Sequence, residues 1–145
     1  MIYHVSLDRP NVPVEAFHVL LIGDDTREMR LTEYALDELG ADFLIKSVIS
    51  LKEAISYVEI SRQRKDLPEL KGIMLESHLN GILSIDAVRL LRANHPTIPV
   101  IVLAGLHSQE DHEGFINAGA SCTLEKHIEL GTFVVNLSMV INLIR

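Results

Sequence analysis

The chain has 145 residues, 48% of them hydrophobic, which fits one compact domain with its own core. Its formal net charge of −7 argues against a nucleic-acid-binding surface, because binding to phosphates needs a basic patch. The only cluster of basic residues along the chain is Arg62, Arg64 and Lys65.

The cysteine content and the lack of long apolar runs indicate the kind of compartment in which the protein is expected. The single cysteine, Cys122, excludes an internal disulfide framework and fits a reducing compartment. The first residues lack the layout of a signal peptide, and no apolar run reaches the roughly 18 residues of a membrane span. We therefore expect a soluble cytoplasmic protein with no membrane partner.

The first 17 residues differ from the rest of the chain. Pro10 and Pro13 interrupt them, and a regular pattern begins only afterwards. Apolar residues alternate with polar ones at Tyr3, Val5 and Leu7, which fits an edge strand, although a flexible extension fits equally well. The sequence thus divides into an N-terminal arm, residues 1–17, and a domain, residues 18–145.

From His18 onward, strand and helix patterns alternate five times. Short apolar runs predict buried strands at 18–23, 43–49, 72–76, 98–105 and 121–126. Helical spacing and capping residues predict helices that open at Asp25 with Glu28, Ser50 with Glu53, Ser84, Ser108 with Asp111, and Glu129. Parallel strands need helical crossovers, so the alternation predicts an α/β fold, a three-layer sandwich around a parallel sheet.

Charged side chains follow several of these strands. In an open parallel sheet the ligand crevice lies outside the carboxyl ends of the strands, so the residues there are candidates for function. They are Asp24 and Asp25 after the first strand, Glu76 and His78 after the third, Ala104 after the fourth, and Lys126 and His127 after the fifth.

Five stretches of the chain together form one recognisable pattern. They are HVLLIGDD, RLTEYALDELG, GIMLESHLNG, IPVIVLAG and AGASCTLEK. This pattern resembles the response-regulator receiver domain of two-component signalling, over roughly residues 18–145. The resemblance implies a flavodoxin-like, five-stranded sheet in the order 2-1-3-4-5. It also implies a non-enzymatic phosphorelay module that acts by protein–protein contact.

In that family an aspartate ending strand three accepts a phosphoryl group, acids ending strand one hold magnesium, and a lysine ends strand five. Lys126 matches that lysine. Asp24 matches a metal acid when the first helix is aligned on its end at Gly40, which leaves Gly23 where the partner acid usually stands. A shift of one residue would make Asp24 and Asp25 the acid pair, but the capping role of Asp25 favours the first alignment.

Three positions depart from the family pattern. Glu76 occupies the phosphoacceptor position, Ala104 the position of a Ser or Thr, and Thr123 the position of a switching aromatic. Phosphoryl transfer depends on near-attack positioning, where a displacement of about 1 Å can cost on the order of a hundredfold in rate. We therefore expect phosphorylation to be lost.

Two interpretations of Glu76 stay open. Its carboxylate could pair with Lys126 and imitate the charge of the phosphorylated state, which would lock the domain in one conformation. Alternatively the site has decayed, and Glu76 only neutralises Lys126. Either way no cofactor is required, and at most weak magnesium binding by Asp24, Asp25 and Glu76 is expected.

The sequence is also compatible with two other functional classes. The chain stops where the output domain of a longer transcription regulator often begins, so it could be the regulatory domain of such a protein. It could also be a metal-dependent enzyme using the same edge, with His78, His107 and His127 near the acids, although no HxH or HxxxH spacing supports a metal site.

The last helix carries apolar residues outside its core stripe. Val135, Met139 and Leu143 lie on the other side, with almost no charge between Glu129 and Arg145. A helix that is apolar nearly all round is expected to be covered. In receiver domains this region is a common interface, so the resemblance implies a homodimer or a signalling partner there, a histidine kinase or an output protein. The alternative is that the N-terminal arm covers the helix.

Overall fold

The structure, a computed structural model, describes residues 1–5, 12–105, 109–126 and 129–144. The strands are β1 Ile2–His4, β2 Phe17–Ile22, β3 Phe43–Val48, β4 Leu70–Glu76, β5 His78–Leu79, β6 Ile82–Leu83, β7 Val100–Ala104 and β8 Cys122–Glu125. The helices are α1 Thr26–Asp37, α2 Leu51–Gln63, α3 Ile85–Asn94, α4 Gln109–Ala118 and α5 Leu130–Ile144. Within these ranges, none of the helices is long and apolar enough to cross a bilayer.

The main sheet is parallel, with strand order β1-β3-β2-β4-β7-β8. The five predicted strands take the predicted order 2-1-3-4-5, so the α/β architecture is confirmed. The prediction of five strands is short by one, because β1 pairs with β3 at the sheet edge, Ile2 opposite Phe43. Of the two alternatives for the arm, Ile2–His4 forms the edge strand, whereas Leu7 and Pro10 lie outside the described residues.

Helices cover both faces of the sheet and create two cores. One core lies between the sheet and α2, α3 and α4, and the other lies between the sheet and α1 and α5. All residues of β2 and β7 are buried. Strands buried on both faces read as continuous apolar runs, which is why the sequence pattern located them.

Two of the predicted helix caps, Asp25 and Ser50, are present in the structure. The Asp25 carboxylate accepts hydrogen bonds from the amides of Arg27 and Glu28, and the Ser50 hydroxyl accepts one from the Glu53 amide. Ser84 precedes α3, but its hydroxyl donates to the carbonyl of Glu76 instead of capping the helix. The predicted cap at Ser108 lies outside the described residues.

A short hairpin between β4 and α3 was not predicted. Strands β5 and β6 pair antiparallel, and the two residues between them, Asn80 and Gly81, have φ angles of 52° and 74°. Positive φ at both central positions is the requirement of a tight hairpin turn, and Asn-Gly is its preferred sequence. The signal was therefore in the sequence, but the flanking strands have only two residues each.

A buried hydrogen-bonded pair joins β2 to α2. His18 is fully buried, its Nδ1 lies 2.8 Å from the carbonyl oxygen of Pro68, and its Nε2 lies 2.6 Å from the Tyr57 hydroxyl. Because a carbonyl only accepts, Nδ1 carries the proton and the Tyr57 hydroxyl donates to Nε2. Burial is the main cause that lowers the pKa of His18, which keeps this imidazole neutral.

We expect Tyr57→Phe to lower the free energy of unfolding by about 1–3 kcal/mol, because it leaves His18 Nε2 buried without a donor. Urea unfolding at neutral pH measures the change. Tyr34→Phe is the matched control, since Tyr34 is more than half exposed and should change stability little. Equal effects of the two substitutions would contradict a structural role for the pair.

Candidate functional site

The carboxyl ends of neighbouring parallel strands bring Glu76 and Lys126 together. Strand β4 ends at Glu76, β7 lies between β4 and β8, and Lys126 directly follows β8. The Lys126 amide donates to the Ala104 carbonyl at 2.7 Å, which continues the β7–β8 pairing. Lys126 Nζ donates to Glu76 Oε1 at 2.6 Å. The contact expected from the sequence is therefore present in the structure.

A second carboxylate shares the same ammonium group. Lys126 Nζ lies 3.0 Å from Glu28 Oε2 and donates to the Glu28 carbonyl at 2.9 Å, and the Lys126 side chain is only 1% exposed. An ammonium has three donors, and three oxygen atoms surround this one. Sequence reasoning assigned Glu28 only to helix capping. Its contact with Lys126 joins residues that are 98 positions apart, and no local sequence pattern predicts such a contact.

Burial dominates the electrostatics of Glu76. Desolvation is the largest influence on its pKa and raises it, whereas the charge and hydrogen bond of Lys126 lower it and the nearby Glu28 and Asp25 raise it again. The net direction is upward. The ion pair with Lys126 therefore offsets only part of the free-energy cost of burying this carboxylate, as is common for buried ion pairs. The contact ties the end of β4 to the residue that follows β8.

Gly23 and Glu76 fit each other sterically. A Cβ at position 23 would lie 2.6 Å from Glu76 Cγ and 2.7 Å from Met29 Sδ, both too close for real atoms. The side-chain stem of Glu76 therefore fills the space that any side chain at position 23 would need. A second acid at that position is excluded while Glu76 holds its present rotamer.

The two acids after β2 are engaged elsewhere. Asp24 Oδ2 accepts a hydrogen bond from the Asn80 amide in the β5–β6 turn at 2.6 Å, and Asp25 caps α1. The part of the chain that the structure describes holds no cluster of three or more His, Cys, Asp or Glu side chains suited to a metal ion. With Glu76 paired to Lys126, the donor set does not fit a magnesium site.

The histidines considered for a metal site do not assemble with the acids as far as the structure describes them. His78 lies in β5, is exposed, and forms a hydrogen bond with the Ser77 hydroxyl at 3.0 Å. His107 and His127 lie outside the described residues.

Ala104 and Thr123 occupy the two positions where the family pattern has a Ser or Thr and a switching aromatic residue. Ala104 ends β7, is 1% exposed and offers no hydroxyl. Thr123 Oγ1 and His112 Nδ1 are joined by a hydrogen bond of 2.6 Å, which links β8 to α4. Position 123 therefore holds a small side chain anchored to the adjacent helix.

The outer face of α5 is open. Val135, Met139 and Leu143 are 58%, 62% and 85% exposed, while the opposite face of α5 packs into the core shared with α1. The described part of the N-terminal arm does not cover them, since β1 pairs with β3 at the far edge of the sheet. We call Val135, Met139 and Leu143 the α5 face.

We expect Lys126→Met to lower the free energy of unfolding by about 3–5 kcal/mol at neutral pH, because it leaves carboxylates buried without their cation. Without Lys126 the pKa of Glu76 rises further above its ordinary value of 4.5. A group whose pKa is raised in the folded state stabilises the fold below its unfolded pKa and loses that contribution as pH rises through the folded pKa.

The Lys126→Met variant should therefore regain stability as pH falls from about 8 to about 5. The measurement is the melting temperature across this range, taken relative to the double variant Lys126→Met/Glu76→Gln. The double variant has no carboxylate at position 76, so histidine titrations common to both proteins cancel. Parallel pH profiles of the two variants would contradict the assignment.

No protein-family model matches the sequence, and no curated protein matches it either. Similarity is found at the level of structure. A CheY-like response regulator receiver domain protein from Methanospirillum hungatei shares 16% identity, with a TM-score of 0.68 over 88% of this chain and 95% of that chain.

Two further structures are similar to the same extent. A response regulator in red light signalling of R. palustris has a TM-score of 0.73 at 17% identity, covering 86% of this chain and 90% of its own. The Mn²⁺-bound form of response regulator Rcp1 has a TM-score of 0.67 at 19% identity, covering 86% of this chain and 91% of its own. The chain thus has the fold of response regulator receiver domains.

Proposed function

We propose that the chain is an atypical receiver module of two-component signalling, whose state is fixed by residues of the chain instead of being set by phosphorylation. The observation that carries this proposal is the 2.6 Å contact between Glu76 Oε1 and buried Lys126 Nζ. The receiver unit spans residues 18–145, and residues 1–17 are an arm. The module acts by protein–protein contact and has no catalytic activity of its own.

Three features at the carboxyl edge oppose phosphoryl transfer to Glu76. Its carboxylate already holds Lys126, so the lysine is not free to receive a phosphoryl oxygen. Ala104 has no hydroxyl for a second oxygen, and Gly23 supplies no metal ligand. Phosphoryl transfer relies almost entirely on positioning and charge neutralisation, so losing these groups together removes the catalysis.

A resident magnesium ion is not part of the proposed function. Asp24, Asp25 and Glu76 each have another partner in the described structure, namely Asn80, the first turn of α1 and Lys126. Magnesium requires nearly ideal octahedral geometry from oxygen ligands, which these engaged carboxylates do not provide. At most, weak binding at the surface of Asp24 is expected.

The fixed charge of Glu76 takes the electrostatic role that a phosphoryl group has in the related fold. It neutralises Lys126 and ties the end of β4 to the end of β8, and Glu28 ties both to α1. Thr123, anchored to α4 through His112, leaves no aromatic side chain to change rotamer. The module therefore presents one constant surface to its partner.

The α5 face is the surface that we assign to this partner. Three exposed apolar side chains lie four residues apart on a helix without a charged residue between Leu130 and Ile144. An apolar helix face suits a symmetric contact with a second copy, and a histidine kinase or an output protein could occupy the same surface.

We expect the wild-type protein to gain no mass when incubated with acetyl phosphate and magnesium. The variant Gly23→Asp/Glu76→Asp/Ala104→Thr should gain the mass of one phosphate, because it restores the acid pair, the shorter acceptor and the hydroxyl while keeping Lys126. Intact-mass spectrometry checks both. Phosphate on Glu76 of the wild-type protein would refute the fixed-switch proposal.

A separate experiment tests the interface. Met139→Glu/Leu143→Glu places two charges on the α5 face and should convert a dimer to a monomer in sedimentation analysis. The matched control is Ile60→Glu/Leu90→Glu, which alters two exposed apolar residues on α2 and α3. An oligomeric state unchanged by the first pair, or changed equally by the second, would argue against the α5 face.

A further inference from the structure

A cavity of about 390 Å³ lies at the edge of the sheet opposite Glu76 and Lys126. It lies between the end of α2, the connection from α2 to β4 and the connection from α3 to β7, and it is partly open to solvent. Its lining residues are Val58, Ser61, Arg62, Arg64, Lys65, Leu67, Glu69, Leu70, Thr97 and Ile98.

The cavity is separate from the site already described. Strand β4 begins at Leu70, which lines the cavity, and ends at Glu76. Seven residues at about 3.3 Å each place the two ends roughly 20 Å apart. No residue of the Glu76 site lines this cavity.

The walls of the cavity combine apolar residues with polar ones, half of which are cationic. Val58, Leu67 and Leu70 are buried and supply the apolar part. The polar part contains the hydroxyls of Ser61 and Thr97 and the basic cluster noted in the sequence, Arg62, Arg64 and Lys65. A small site with an apolar body and a few polar groups is the usual composition of a ligand pocket.

The charges at the cavity leave cations in excess. Arg64 is held by Asp66 in two hydrogen bonds, and the one acid that lines the cavity, Glu69, pairs with Lys71 at 3.2 Å. Arg62 has a loose contact of 3.4 Å with Glu59, and both side chains are about half exposed. Lys65 forms no ion pair with any residue that the structure describes. A net charge of −7 makes this local excess unusual for the chain.

A helix end accounts for part of this cluster. Helix α2 ends at Gln63, and basic residues near a helix C-terminus offset its partial negative charge. That explains Arg62 and Arg64 without any ligand. It explains neither the partly open cavity beside them nor the placement of Lys65 on its wall.

His95 lies beside the cavity without lining it. It caps the end of α3 and precedes Thr97 and Ile98, which do line the cavity. Its side chain is buried, and neither ring nitrogen has a hydrogen-bond partner among the described residues. Burial is the main cause that lowers the pKa of His95, the charge of Arg62 lowers it further, and the charge of Glu59 raises it.

We propose that this cavity binds a small phosphate monoester with an apolar body. The apolar body packs on Leu67 and Leu70, and the phosphate is held by Arg62 and Lys65, which together supply several donors. This combination of groups identifies the ligand. A purely apolar molecule would make no use of the charges of Arg62 and Lys65, and a purely ionic one would not cover Leu67 and Leu70.

The test uses 1-naphthyl phosphate as the probe in a titration followed by amide shifts of the ¹⁵N-labelled chain. Saturable shifts are expected in residues 58–70 and 95–98. Inorganic phosphate and 1-naphthol, each lacking one half of the probe, should bind at least tenfold more weakly. Arg62→Ser/Lys65→Ser should weaken the binding of the probe at least tenfold, and its own spectrum shows whether it is folded.

The matched control is Lys52→Ser/Arg89→Ser, which makes the same change in net charge at two exposed residues outside the cavity. It should leave the binding of the probe unchanged. The proposal is overturned if the probe causes no saturable shifts, or if the shifts map to α5. It is also overturned if either half-probe binds as tightly as the whole, or if both double variants weaken binding equally.

Discussion

The buried ammonium of Lys126 is the constraint on which the carboxyl edge of this molecule depends. A cation that is almost fully removed from water needs oxygen partners on all its donors, and Glu76 with Glu28 provides them. Through one side chain, the ends of β4 and β8 are connected to the first turn of α1. Burial raises the pKa of Glu76 even with Lys126 beside it, because desolvation is the largest influence on this carboxylate.

The departures of this chain from the receiver pattern are connected to one another. The acid expected to hold a metal, Asp24, secures the β5–β6 turn through Asn80, and Asp25 is committed to its helix. The charged residues Asp24, Asp25, Glu76 and Lys126 at this edge thus each serve an internal contact. A charged residue at a strand end does not by itself distinguish a working phosphorylation site from a structural cluster. The two are distinguished by the partner that each carboxylate binds.

The sequence was sufficient for the strand order, the caps at Asp25 and Ser50, and the meeting of Glu76 with Lys126. Each follows from local periodicity, from side chains that bond to nearby amides, or from the rule that parallel strands present their ends at one edge. The edge strand Ile2–His4 was only one of two alternatives that the sequence left open, and the role of Glu28 could not be predicted. A three-residue strand carries almost no periodic signal, and the Glu28 contact depends on where α1 settles against a lysine 98 positions later.

Gly23 has a consequence for the backbone at the junction of β2 and α1. A side chain at position 23 would meet Glu76 Cγ on one side and Met29 Sδ on the other. Aspartate also has a Cγ, so shortening Glu76 alone would not open this space. Positions 23, 29 and 76 therefore form one packing unit, in which a larger residue at position 23 requires both neighbouring side chains to move.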